Sequence, residues 1–267
     1  MQRQAWVLAV VNQKGGVGKT TTAVNLAVGL AQRGEPTLLV DSDPQANATS
    51  GLGVDPRTFP TDLFALIHEV VSGRSTPQIT PSMLATGRPN LHLIPATIDL
   101  AGADLLLASQ IARETILRQI LSPLRDCYMW IVIDTPPSLG ILTVNALAAA
   151  DGLIVPVQCE YYALEGLTRL LQTVELVKRH LNPTLEIWKV LLTMHDARTR
   201  LSEQVEEEVR KFFGARVAQT VIPRSVRVSE APSFGQSVLE YDARSRAAIA
   251  YAEFVEEVRA YASSRTW

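Results

Sequence analysis

The residues best suited to chemistry stand close together near the start of the chain: Gly15-Gly16-Val17-Gly18-Lys19-Thr20-Thr21-Thr22. Glycines let successive backbone N–H groups turn inward around an anion, and a helix beginning directly afterwards adds partial positive charge. A lysine after the last glycine reaches the outer phosphates of a nucleoside triphosphate, and the next hydroxyl is placed for Mg²⁺. Lys19 and Thr20 hold those two places, while Gly15, Gly16, Val17, Gly18 and Thr21 complete the cradle. One position departs from the generic pattern. Where its first glycine is expected stands Gln13, and a second lysine, Lys14, opens the loop; alone, Lys14 reads equally well as a solvated loop charge. Carboxylates follow two other apolar runs. Asp134 comes directly after Trp130-Ile131-Val132-Ile133, which puts it at the tip of a buried strand, able to hold Mg²⁺ beside Thr20. Asp41 and Asp43 follow Thr37–Val40. Either could position an attacking water for phosphoryl transfer, and spacing does not separate them.

The elements that must position these residues alternate along the chain. Val7–Val11 is an apolar run of strand length, and Ala23, Leu26, Ala27 and Leu30 after the glycines have helical spacing. Gly34-Glu35-Pro36 stops that helix. Further strands are expected at Thr37–Val40, Leu91–Pro95, Tyr128–Ile133, Gly152–Val157, Ile187–Met194 and Val217–Ile222. Helices are expected at Asp62–Val71, Ile111–Leu124, Ala163–His180, Ser202–Phe213 and Ser245–Ser263. Strands separated by helices imply right-handed crossovers and a mainly parallel central sheet flanked by helices on both faces, an α/β fold. Ligands in such sheets sit at the carboxyl ends of strands. The glycine loop, Asp43 and Asp134 all fall at such ends, which makes one composite site. Residues 50–90, with Gly51, Gly53, Pro56, Pro60, Gly73, Pro77, Pro81, Gly87 and Pro89, are the least regular part and carry no assigned role.

Composition narrows the function classes. With 267 residues and 47% hydrophobic content, one domain can bury a sizeable core. The formal net charge of −2 means that any nucleic-acid binding must come from a local patch. Cys127 and Cys159 are expected to be buried structural thiols in a reducing compartment, and the four histidines lack metal-site spacing. Met1-Gln2-Arg3-Gln4 leads into the first strand without a signal-peptide pattern, and no apolar run approaches the ~20 residues of a membrane span. A cytoplasmic protein is expected.

The spelling Lys14-Gly15-Gly16-Val17-Gly18-Lys19-Thr20-Thr21 resembles the deviant phosphate loop of the ParA/MinD group. The likeness continues through Asp41-Ser42-Asp43-Pro44-Gln45, Asp134-Thr135-Pro136-Pro137, Pro156-Val157-Gln158-Cys159-Glu160, Leu192-Thr193-Met194-His195-Asp196 and Val221-Ile222-Pro223-Arg224. Taken together, the chain resembles a chromosomal ParA of the Soj type, a deviant P-loop NTPase. That resemblance implies an ATP- and Mg²⁺-dependent sandwich homodimer in which Lys14 reaches the partner's nucleotide and Asp43 lies near the attacking water. Pro223 and Arg224 are implied beside the adenine. It also implies non-specific binding of double-stranded DNA, with Arg198 and Arg227 matching backbone-contacting positions, hydrolysis stimulated by the centromere-binding protein ParB, and association with the nucleoid. Larger plasmid ParA proteins carry an N-terminal helix-turn-helix region; too few residues precede the first strand for one, so residues 1–267 are expected to be a single ATPase domain. No Asn-Lys-x-Asp guanine signature occurs, which favours ATP over GTP.

The alternative is a membrane-associated spatial regulator of the MinD type. Its final helix should be basic and amphipathic. Here the last helix has an apolar stripe (Ala247, Ile249, Tyr251, Phe254, Val255, Val258) but carries Glu253, Glu256 and Glu257. Acidic residues are repelled by anionic lipid, so no stable membrane binding is expected. A nitrogenase-type iron–sulfur reductase would need cysteines in glycine-rich contexts, which Cys127 and Cys159 lack.

Overall fold

In a computed structural model that describes residues 4–73, 79–80, 84–160 and 165–265, the short apolar runs become the strands of one sheet. They are β1 (Trp6–Val10), β2 (Thr37–Asp41), β3 (Leu91–Ile94), β4 (Trp130–Asp134), β5 (Gly152–Gln158), β6 (Glu186–His195) and β7 (Val217–Pro223), in the spatial order β3-β2-β4-β1-β5-β6-β7. Every pairing between them is parallel. Parallel strands need crossovers, and helices supply them: α1 (Lys19–Gln32), α2 (Asn47–Gly51), α3 (Leu63–Val71), α4 (Ala103–Leu107), α5 (Ile116–Leu121), α6 (Ile141–Ala149), α7 (Glu165–His180), α8 (Arg200–Phe213), α9 (Val226–Glu230), α10 (Val238–Tyr241) and α11 (Arg246–Ser263).

Helices on both faces explain why the strands read as unbroken apolar runs rather than alternating ones. Along β1, Val7 and Ala9 face one core with Leu66, Ile120 and Leu170, whereas Trp6, Leu8 and Val10 face the other with Leu26, Tyr251 and Phe254. The second core is closed by α11. Ser245 caps that helix by accepting from the Ala248 N–H, and Tyr251, Phe254, Val255 and Val258 are all buried. At the amino-terminal edge of the sheet, Trp188 stacks edge-on against Trp6 at 5.0 Å and tilts against Tyr261 at 5.1 Å.

Register places the chemistry. Asp134, the last residue of β4, pairs with Val10 of β1 on one side and with Asp41 of β2 on the other. The ends of three adjacent strands are therefore level, and the glycine loop, Asp41–Asp43 and Asp134 converge at the carboxyl edge.

Several local expectations change. The helix expected over Ile111–Leu124 is broken. Ala112 takes a left-handed φ of 55°, residues 113–115 and 122–124 form 3₁₀ turns, and only Ile116–Leu121 is α-helical. Pro123, without an N–H, sits in the second turn, and Ile111 is 95% exposed rather than part of a buried stripe. Helix α7 begins at Glu165; the expected start at Ala163 lies outside the described residues. Cys127 is exposed in the turn before β4, against expectation, whereas Cys159 is buried and burial pushes its thiol up to about 12. Such a thiol is inert.

Gly152 opens β5 directly beneath the Trp188 indole, so that an added Cβ would overlap the ring. Because Trp188 is 1% exposed and cannot swing away, Gly152→Ala is expected to destabilise by about 1–3 kcal/mol. Thermal unfolding checks this, with roughly 2–4 °C lost per kcal/mol in a domain of this size; an unchanged midpoint would mean that the two aromatic layers are loosely packed.

Candidate active site

The glycine loop is held in shape from below before any ligand enters. Asn12, buried after β1, donates from Nδ2 to Pro156 O (2.7 Å), and its Oδ1 accepts the Lys14 N–H (3.0 Å). Thr193 at the end of β6 donates from Oγ1 to Val17 O (2.9 Å). Gly16 and Gly18 have φ of 74° and 86°, a region that costs other residues strain. The first turn of α1 contains no acidic residue, leaving its positive end open to an anion. Lys19 lies back along the loop, with Nζ donating to Lys14 O (3.1 Å). Burial lowers its pKa first of all, against the opposing charges of Asp134 and Asp43.

Asp134 is fully buried, and neither carboxylate oxygen has a hydrogen-bond partner. The Thr20 hydroxyl faces it without closing a bond of normal geometry. Burial first, then the nearby Asp41 and Asp43 charges, push this carboxyl well above the usual range, with Thr20 and Lys19 pulling the other way. A buried oxygen donor left bare beside a hydroxyl is a fitting partner for a hard cation. Among the described residues no group of three or more His, Cys, Asp or Glu could hold a metal. A cation here must therefore draw its remaining ligands from phosphate and water, as Mg²⁺ does.

The structure also separates the two aspartates that spacing could not. Asp41 is fully buried and its oxygens are used internally. Thr49 donates to Oδ2 from N (2.8 Å) and Oγ1 (2.7 Å), and Asp43 N to Oδ1 (3.2 Å). Burial outweighs these bonds and pushes its pKa up to about 6. Asp43 has one oxygen on the Gln45 N–H (3.0 Å) and lines the cleft.

That cleft, of about 600 Å³, runs along Gly15, Gly16, Gly18, Lys19, Thr20 and Thr21 and past Asp43. Asn47, Ser50, Met194, Pro232 and Ser233 are among its other walls. None of these five stood out as a site residue in the sequence, because the segments that carry them lie far apart in the chain and their residue types announce no phosphate chemistry. Met194 alone carries a mark of strain, a φ of 53° at the end of β6. Beside the loop, a smaller recess continues from Gly18 and Thr21 to Met194, Pro223 and Arg224.

The remaining sequence-predicted residues fall outside the cleft. Lys14 turns aside: its Nζ is 3.4 Å from Glu160 Oε2, while Arg224 lies 3.6 Å from Glu160 Oε1. Arg198 is largely exposed (87% for the side chain) and grips Asp196 with two bonds of 2.9 and 2.7 Å, holding that carboxyl well below the usual range. Arg227 is half exposed, bonded to Glu230 (2.9 Å) and 3.4 Å from Asp242. Arg198, Arg224 and Arg246 line a second cleft, about 700 Å³, between the turn after β6 and the start of α11, with Asp196 and Glu253. It lacks a phosphate loop and a nucleophile-positioning group.

The chain is similar to known proteins. A family model described as an AAA domain matches residues 5–187. The sporulation initiation inhibitor protein Soj of Bacillus subtilis is 52% identical over 95% of this chain and 98% of its own length. The chromosome partitioning protein ParA of Caulobacter vibrioides is 49% identical over 94% of this chain and 93% of its own. Among solved structures, that of cobyrinic acid a,c-diamide synthase from Mycobacterium smegmatis with bound ADP and magnesium superposes with a TM-score of 0.81 at 37% identity, covering 97% of this chain and 96% of that one.

The bare Asp134 carboxylate should reveal itself in stability. Its raised pKa, like that of Asp41, means that the native state binds more protons than the unfolded chain above pH ~4, so stability falls as pH rises from there to about 6 and beyond. In magnesium-free buffer, Asp134→Asn is expected to raise stability at pH 7 by roughly 1–3 kcal/mol while abolishing magnesium-dependent nucleotide binding. Urea titrations at pH 5 and pH 7 check the first, nucleotide titrations the second; a variant less stable than wild type at pH 7 would contradict the unneutralised charge.

Proposed function

The chain belongs to the Soj/ParA family of chromosome-partitioning ATPases, and from that membership and the site's geometry we propose that it is a partition ATPase whose ATP-bound homodimer clamps DNA without sequence preference. The observation that carries the reading is the bare, buried Asp134 carboxylate beside Lys19 and Thr20. A nucleoside triphosphate with its Mg²⁺ is the ligand that would satisfy loop and carboxylate together.

The residues divide the work. Backbone N–H groups of the loop, from Gly15 to Thr21, bind the phosphates, and Lys19 meets the outer ones. Thr20 and Asp134 would hold Mg²⁺, which would supply positive charge against the triphosphate. Asp43 orients the attacking water in line with the γ-phosphate. Lys14 adds positive charge at the γ-phosphate of a second copy, leaving its own Glu160 to do so. Pro223 and Arg224 flank the adenine. With few groups aligned until two copies meet, hydrolysis by the single chain is slow, and ParB stimulates it and releases the DNA.

DNA binding rests on Arg198 and Arg227, both exposed. A dimer doubles them, and four phosphate contacts give a log–log salt slope of roughly −4. The protein is accordingly cytoplasmic and nucleoid-associated. The membrane alternative is disfavoured by α11, whose Tyr251, Phe254, Val255 and Val258 are packed into the domain. Glu257 is likewise engaged, accepting from the backbone of Gln219 and Thr220. No helix among the described residues is long and apolar enough to cross a membrane.

Co-sedimentation with random-sequence DNA tests this, with no nucleotide, with ADP and with ATP plus Mg²⁺. Wild type should be retained only with ATP, Asp43→Ala should be retained longer, and Arg227→Ala should lose DNA while still binding ATP. Equal retention in all three nucleotide states would remove the partition reading.

A further inference from the structure

In the irregular stretch before β3, one residue joins two walls of the cleft. The Arg88 side chain, 23% exposed, spends its guanidinium on three acceptors from distant segments. Nε donates to Glu240 Oε1 (2.7 Å), Nη1 to Leu52 O (3.0 Å) and Nη2 to Gly235 O (2.6 Å). Leu52 follows α2, whose Asn47, Ser50 and Gly51 line the cleft; Gly235 closes the turn that presents Pro232 and Ser233 to the same cleft. Where these segments meet, backbone touches backbone. A Cβ on Gly235 would come within 2.7 Å of Gly53 Cα, and one on Gly53 within 3.1 Å of Gly235 Cα.

From this joint the contacts run on to Arg227. The second oxygen of Glu240 accepts from Ser237 N and Oγ, both at 2.9 Å, and so caps α10. The next backbone N–H, of Val238, donates to Asn25 Oδ1 on α1 (3.0 Å), and Asn25 Nδ2 donates to Thr21 O beside the phosphate loop (2.8 Å). Tyr241 ends α10, stacks on Phe234 at 4.9 Å and bonds Glu230 through its hydroxyl (3.4 Å). Glu230 and the following Asp242 are the two carboxylates that hold Arg227. Both partners of Arg227 are thus carried on segments that Arg88 ties to α2.

We propose that Arg88 is a positioning residue that couples the nucleotide cleft to the DNA-binding face, fixing Arg227 through α10. The inference rests on the nucleotide-gated DNA binding proposed above. A planar guanidinium with donors in a rigid fork cannot follow one acceptor without pulling on the others, whereas a lysine ammonium offers a single point charge. Movement of the segment from Asp43 to Leu52 when the cleft fills is therefore passed to Gly235 and Glu240, and from there to Arg227, along one contiguous network.

The test uses the full chain with Arg88→Lys, Arg227→Ala and the double variant, measuring ATP affinity, DNA affinity in the ATP–Mg²⁺ state and its salt slope. Arg88→Lys should weaken DNA binding roughly tenfold and flatten the slope as Arg227→Ala does, with ATP affinity within about twofold of wild type. The double variant should be no worse than Arg227→Ala, because the two residues act through one contact. Full additivity, unchanged DNA binding in Arg88→Lys, or a parallel loss of ATP affinity would overturn the coupling. Glu240→Gln, read in the same way, serves if Arg88→Lys does not fold. DNA binding unchanged in Arg227→Ala would instead bring down the DNA-face reading itself, and Arg88 with it.

Discussion

A cluster of buried carboxylates with too little counter-charge among them is the constraint on which the site depends. Three aspartates, Asp41, Asp43 and Asp134, crowd the carboxyl edge of the sheet against the one buried ammonium of Lys19, and all four are at most 6% exposed. Burial of unpaired charge is expensive. The fold sustains it because β1, β2 and β4 are locked in level register by their pairing and cannot draw the carboxylates apart. A cation brought to this edge would relieve that cost.

The rest of the site is arranged to keep that edge rigid. Asn12 and Thr193 tether the loop to β5 and β6 from below, so the backbone groups that meet phosphate hang from the sheet and not from a free loop. Asp41 is consumed in holding Thr49, which leaves Asp43 as the aspartate facing the cleft from that strand. Two carboxylates two residues apart therefore sit differently: one ties down α2, and the other faces the cleft.

How much of this was legible in the sequence depends on how local the physics is. The glycine loop, the strand-end position of Asp134 and the parallel sheet were readable because each rests on a contiguous pattern: turn glycines, a helix start, apolar runs ending in acid. Helix α6 was not, since Leu142, Thr143, Asn145, Ala146, Leu147, Ala148 and Ala149 are buried, and a helix covered nearly all round shows no polar face to set its period. The break at Ala112 was hidden for a related reason, because apolar spacing does not report a left-handed residue. Arg88 was invisible altogether. Two of its acceptors are backbone carbonyls, and its partners lie 36, 147 and 152 residues away, so no motif could announce them.

The pairing of Lys14 with Glu160 has a consequence for the order of assembly. If Lys14 leaves a carboxylate of its own chain for a phosphate of another, one ion pair is exchanged for another and few counterions are freed. Arginines that meet a DNA backbone displace condensed cations from it. If, as proposed, two copies clamp DNA, their joining and the capture of DNA would answer differently to ionic strength: salt would loosen the clamp from its track long before it parted the halves of the clamp.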